Sequence, residues 1–172
     1  MSQIAIIPEE VVAEMTPKEQ AYFRRARRMS QRSARGPRLF SAANRVVFRL
    51  SGGRVGAEML GVPIGLLTTT GRRSGRSRTV PVVYLEEGAR FFVVTSNNGF
   101  DATPLWHLNL LANPVAAFRT RHGTEPVVAR ELSATEREKA WPVLVRHNPM
   151  WGAYQSCTTR PSAVMALERT RG

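Results

Sequence analysis

The run Leu66-Leu67-Thr68-Thr69-Thr70-Gly71-Arg72-Arg73-Ser74-Gly75-Arg76-Ser77-Arg78-Thr79-Val80-Pro81 decides how the chain is read. A short, threonine-rich apolar segment stands on its left and a valine-rich one on its right, residues 79–85. Both have the composition of strands. The turn between them carries two glycines and four arginines. Glycine lets a backbone turn with positive φ and lets its N–H groups come close to a ligand. Arginine presents a planar fork of donors that matches phosphate and carboxylate oxygens. The expectation is a hairpin whose turn cradles an anion; the plainer reading is a solvated basic turn. Gly71 and Gly75 do not make a P-loop, because no Gly-Lys-Ser/Thr follows them.

Outward from this hairpin the pattern stays β-rich. Residues 64–70 and 78–85 form the first pair, with Pro81 marking an edge or bulge because it cannot donate to a ladder. Glu86-Glu87-Gly88 turns the chain into a third strand, 90–95. Ser96-Asn97-Asn98-Gly99 reads as a polar loop, and Thr103-Pro104 opens a short helix over 105–111 that Asn113-Pro114 stops. Strands 115–121 and 125–132 flank a turn at His122-Gly123. Ser133-Ala134-Thr135-Glu136 is a capping box for a helix running toward Arg146, with Pro142 inside it. Residues 148–154 form a short aromatic helix or turn, and 163–168 a last strand. Six short, mostly hairpin-linked strands with inserted helices imply an antiparallel barrel or sandwich with α additions, and argue against a parallel dinucleotide-binding sheet.

Toward the N-terminus, Thr16-Pro17-Lys18-Glu19 is a helix start, and residues 24–38 carry seven arginines. A second helix is expected over 44–50, ended by Ser51-Gly52-Gly53. Residues 1–55 thus read as a basic helical arm and 56–172 as the β-rich domain. The arm is either a solvated, partly flexible extension or an electrostatic foot on an anionic membrane, where each basic residue adds about 1 kcal/mol.

Composition narrows the chemistry. The 172 residues suit one domain with a sizeable core. The formal charge is +12, and lysine occurs only at positions 18 and 139, so the basic surface is arginine. Such a surface attracts nucleic acid, anionic lipid or an acidic cofactor. Cys157 is the only cysteine and Asp101 the only aspartate, which excludes an internal disulfide and argues against acidic metal clusters. His107, His122 and His147 lack zinc-site spacing. With no signal-like N-terminus and no long apolar run, the chain reads as soluble and cytoplasmic. What remains for function is an anion cradle, a polar loop at Ser96 and the aromatics Trp106, Trp141, Trp151 and Tyr154. Trp106 and Trp141 read as core more than as ring platforms; Trp151 and Tyr154 fit the core or a surface lid. A cradle beside an apolar slot suits a planar, phosphorylated cofactor that carries the chemistry while the protein positions it.

Three runs in order, LLTTTGRRSGRSRTVPV, VVTSNNGFDATPLWHLNLLANP and WPVLVRHNPMWGAYQSCTTR, resemble the deazaflavin-dependent nitroreductases, quinone reductases that use reduced coenzyme F-420. The resemblance spans about residues 45–168. It implies a six-stranded antiparallel split β-barrel of the flavin-reductase and oxidase type, and hydride transfer to a quinone or nitroaromatic acceptor. By position it assigns Arg72, Arg73 and Arg78 to the cofactor's phosphate and acidic tail, Ser74 and Gly75 to the turn, and Leu105 and Trp106 to the cofactor groove. It places Ser96 near the reacting centre, as both cofactor contact and catalytic hydroxyl, and Tyr154 as the catalytic tyrosine closing over the substrate. Asn148 and Trp151 join Tyr154 in the substrate pocket, standing where the quinone reductase branch has tyrosines. Asn97 stands where a lysine is common. Two other classes compete: a relative on the same barrel that binds flavin (FMN) or haem, and a nucleic-acid-binding module. The latter needs exposed aromatics interleaved with the basic residues, whereas the aromatics here lie in apolar contexts.

Overall fold

The computed structural model describes residues 16–18, 20–21 and 58–170. The basic arm over 24–38 and the helix expected over 44–50 lie outside these residues. Of the first expected helix, Pro17, Lys18, Gln20 and Ala21 are helical, and the Gln20 N–H donates to the Thr16 carbonyl at 2.9 Å.

Seven strands and three α-helices follow. They are β1 (Glu58–Met59), β2 (Val62–Thr70), β3 (Ser77–Glu87), β4 (Arg90–Val94), α1 (Leu105–Ala112), β5 (Val115–Thr120), β6 (Gly123–Glu131), α2 (Ala134–His147), α3 (Pro149–Ser156) and β7 (Val164–Arg169). A 3-10 turn at Asn97–Gly99 precedes α1. Every pairing is antiparallel. The order β2-β3-β4-β7-β6-β5 closes through a β2–β5 pairing, so six strands form a barrel, and β1 is a short extension on β2. Closure leaves no free edge along the paired segments.

The interior follows from alternation. Phe91 and Val93 of β4 and Met165 and Leu167 of β7 join Leu67, Tyr84, Phe118 and Val127 in one cluster. Their neighbours Phe92, Val94, Val164 and Ala166 face the other way, into a second cluster with Leu144 and Trp151 beneath α2 and α3. The period of two sorts one run of apolar residues onto two faces. Both faces are covered here, which is why these strands read as unbroken hydrophobic runs. Tyr84, Phe91 and Phe118 meet edge-on or tilted at 4.8–5.5 Å between ring centres. Gly65 on β2 makes room for them, because a Cβ there would lie 2.3 Å from the Phe118 ring.

Pro81 pairs with Leu66, and the β3–β4 ladder begins only at Tyr84. The side of β3 away from β2 is therefore unpaired at Pro81, and the missing N–H costs no ladder bond. The Ser133–Glu136 capping box is present in both directions, and α2 continues through Pro142 to His147. The Nε2 of His147, at the end of α2, lies 3.0 Å from the Tyr84 carbonyl oxygen. Gly88 turns β3 into β4 with φ of +60°.

Candidate functional site

The β2–β3 hairpin ends in a compact turn. The Gly71 N–H donates to the Arg76 carbonyl at 2.8 Å, and the N–H groups of Ser74 and Gly75 donate to the Gly71 carbonyl at 3.1 and 2.8 Å. Gly75 has φ of +64°, where L side chains are strained, so glycine is needed at the apex. Helix α1 crosses the same end of the barrel. Its Asn109, only 7% exposed, donates from Nδ2 to the Thr69 Oγ1 at 3.0 Å and accepts the Arg72 N–H on Oδ1 at 3.1 Å. One buried amide thus ties the helix to both the strand and the arginine turn.

Between turn and helix lies a cleft of about 580 Å³. Arg72, Arg73, Ser74 and Arg78 line its basic side, Leu105, Trp106 and Val80 its apolar side, and Thr69 and Asn109 are also in its wall. Arg72, Arg73, Arg76 and Arg78 are all exposed. The ion pairs of the described residues draw in Arg90, Arg130, Arg169 and His107, and none of these four. Uncompensated guanidinium groups beside an apolar wall can take up a planar molecule with an anionic tail. No group of three metal-ligating side chains occurs among the described residues.

Six residues singled out from sequence, Arg72, Arg73, Ser74, Arg78, Leu105 and Trp106, line this one cleft, and Gly75 shapes its turn. Leu105 is 73% exposed, an unusual solvent contact for a leucine. Trp106 serves two surroundings, lining the cleft and packing against the barrel core. Trp141 is half-buried against the second cluster, with the Arg137 guanidinium 4.3 Å above its ring.

The remaining residues singled out from sequence lie elsewhere. Ser96, Asn148, Trp151 and Tyr154 are buried and do not line the cleft. Trp151 belongs to the cluster under α2 and α3, and Tyr154 is buried beside it on α3, so neither is a surface lid. Asn148 caps α3, its Oδ1 accepting the Met150 N–H at 3.2 Å. Ser96 heads the 3-10 turn, but its side chain makes no capping bond. That turn abuts α3: a Cβ on Gly99 would lie 2.8 Å from the Cys157 Cβ and 3.3 Å from the Tyr154 carbonyl oxygen. The fold therefore sets the Ser96 turn beside the Tyr154 helix. Asn97 folds onto its own loop, donating from Nδ2 to the Ala102 carbonyl at 2.7 Å.

Sequence reasoning missed Asn109 and Thr69. An asparagine within LWHLNLLA is a weak signal alone, but it follows Leu105 by four residues and so shares that face of the helix.

The chain matches the F420H(2)-dependent quinone reductase family model over residues 41–169. A quinone reductase of Mycobacterium tuberculosis dependent on reduced F-420 is 31% identical over 127 residues, covering 72% of this chain and 85% of that protein. A solved F-420-dependent reductase is 37% identical with a TM-score of 0.57, covering 62% of this chain and 94% of the other. A second solved chain, described as a domain-swapped dimer, is 34% identical with a TM-score of 0.59, covering 74% and 96%.

Proposed function

The chain belongs to the family of quinone reductases that depend on reduced coenzyme F-420, and on that premise we propose that the cleft between the arginine turn and α1 is where the cofactor is held. The carrying observation is that Arg72, Arg73 and Arg78, exposed and with no carboxylate partner among the described residues, line the cleft opposite an apolar wall. The residues fit the group: Arg72, Arg73 and Arg78 suit a phosphate and an acidic tail, and Leu105 and Trp106 suit the flat face of a ring. When bound, the reduced deazaflavin supplies a hydride for a quinone or nitroaromatic acceptor.

The work of this chain is positional and electrostatic. The Asn109 amide holds the arginine turn against α1, so the cationic and apolar sides keep a set spacing. An acceptor oxygen gains negative charge as it is reduced, and a nearby hydroxyl donor lowers that barrier. Ser96 and Tyr154, both buried and outside the cleft lining, are the proposed donors; in support, the Ser96 side chain makes no capping bond and its turn abuts the Tyr154 helix.

The test is binding of F-420, FMN and haem to purified protein, each followed by fluorescence or absorbance. The reading expects F-420 to bind and the double variant R73A/R78A to bind it more than tenfold more weakly, since charge-assisted bonds contribute about 1.5–3 kcal/mol each. Unchanged affinity in a folded double variant eliminates the cradle, and preference for FMN or haem favours the competing class. The basic arm at 24–38 adds a second proposal on sequence alone, attachment to an anionic membrane surface. No helix among the described residues is long and apolar enough to span a membrane. Co-sedimentation with acidic but not neutral vesicles at low salt is the corresponding measurement.

A further inference from the structure

The connection from β4 to α1 is the most strained segment of the described chain. Asn97, Asn98 and Gly99 follow one another with φ of 45°, 56° and 78°. Left-handed backbone at a non-glycine residue persists only where its surroundings over-determine it, and such strain gathers at functional sites. The segment runs from Thr95 at the end of β4 to Pro104, which leads into Leu105 and Trp106, the apolar wall of the cleft.

Arg160 holds this segment at its start, Thr95, and again at Asp101. Its Nε donates to the Asp101 carbonyl at 3.0 Å and its Nη2 to the Thr95 carbonyl at 2.8 Å. Its Nη1 reaches the Thr95 Oγ1 at 3.4 Å and the Pro161 carbonyl at 3.3 Å. Arg160 is anchored in turn: its N–H donates to the Thr158 Oγ1 at 3.1 Å, and its carbonyl accepts from the Gln155 side chain at 3.2 Å. The Thr158 hydroxyl donates to the Asp101 carboxylate. Like Arg137, which donates to the Ser162 carbonyl and the Gln155 side chain, this guanidinium spends its donors on neutral acceptors and on no carboxylate. A charge that serves only solubility needs no such partners.

We propose that Arg160 is a positioning residue for the cleft: by pinning Thr95 and Asp101 it sets where α1 begins, and so where Leu105 and Trp106 stand against the arginine turn. The proposal rests on the cofactor reading for its functional consequence, but the clamp itself is testable without any cofactor. The planar fork spans two carbonyls at fixed angles, which a lysine ammonium does not do.

The experiment compares wild type, Arg160→Met, Arg160→Lys and Arg160→Ala, first by amide hydrogen exchange and then by F-420 binding and steady-state kinetics. The clamp expects exchange over residues 96–104 to rise at least tenfold in Arg160→Met while the barrel strands stay protected. It expects the F-420 dissociation constant to rise about tenfold or more in Arg160→Met and in Arg160→Lys. It also expects millimolar guanidinium to restore binding in Arg160→Ala but not in R73A/R78A. Unchanged protection of 96–104, or unchanged F-420 affinity in Arg160→Met, overturns the proposal. So does full rescue by lysine, which would mean that charge alone mattered. Failure of the wild type to bind F-420 removes the cofactor reading, and hydrogen exchange then still decides the clamp. Should Arg160→Met unfold, Arg160→Lys and the guanidinium rescue decide between clamp and plain charge in its place.

Discussion

Asn109 shows what one residue does at this site. Its amide is buried, and both ends are used, one on Thr69 and one on the Arg72 N–H. Replacing it by leucine takes the acceptor from the Arg72 N–H and the amide donor from the Thr69 hydroxyl, which keeps only its 3.5 Å bond to the Arg78 carbonyl, at a cost of about 1–3 kcal/mol. We expect N109L to weaken F-420 binding about tenfold, with a smaller effect on turnover at saturating cofactor; titration and a kcat against KM comparison check this. A loss confined to kcat would mean that Asn109 acts on the chemistry instead. At Tyr154 and Ser96 the expectation is the reverse. Y154F keeps the ring and removes the hydroxyl, so turnover should fall more than cofactor affinity, and adding S96A should lower it further. Wild-type turnover in both single variants, with a quinone and with a nitroaromatic, would leave neither hydroxyl a role.

At the scale of the element, α2 illustrates how much a cap can do from the surface. Ser133 and Glu136 satisfy each other's backbone N–H groups, and Arg130 donates to the same Glu136 carboxylate at 2.8 Å. The hydrogen bond from Arg130, followed by the bonds at Ser133, holds the Glu136 carboxyl down at about 2, against an ordinary value of 4.5. The folded state thus binds this proton less readily than the unfolded chain. The contribution of Glu136 is therefore complete above about pH 4.5 and is lost as pH falls toward 2. Denaturant melts of wild type and E136Q should differ most at neutral pH and converge near pH 2. A difference that is constant across that range would mean the carboxylate charge is irrelevant to the cap.

For the whole molecule, closure of the barrel is the event that makes the site. The β2–β5 pairing brings Thr69 beside Ala116, at the end of the barrel where α1 connects to β5. Gly65 and Phe118 lie on these two strands, and the Phe118 ring occupies the volume a Cβ at Gly65 would take. We expect G65A to destabilise the protein by about 1–3 kcal/mol through overpacking. Adding F118L should recover part of the loss, because the smaller side chain yields that space. Additive effects in the double variant would separate Gly65 from the ring and place its importance in the backbone.

The six barrel strands, the hairpin turns, the α2 capping box and the arginine turn were legible in the sequence, because each rests on interactions only a few residues apart, whereas the two-residue β1 was not expected. Alternation, positive φ at glycine, side-chain caps and the missing proline N–H are local physics. The three motifs likewise announced the family and the grouping of Arg72, Arg73, Arg78, Leu105 and Trp106, which the fold assembles around one cleft. The strand pattern by itself left barrel and sandwich open; the resemblance implied the barrel, and the structure shows the β2–β5 pairing, across some fifty residues of chain, that closes it. Tertiary structure alone decided the rest. It buried Trp151 and Tyr154, whose helix periodicity suits a lid and a core equally well. It gave Asn109 and Arg160 their partners, which lie 37 to 65 residues away. No local pattern encodes such contacts, because their energy exists only once the barrel has brought the two segments together.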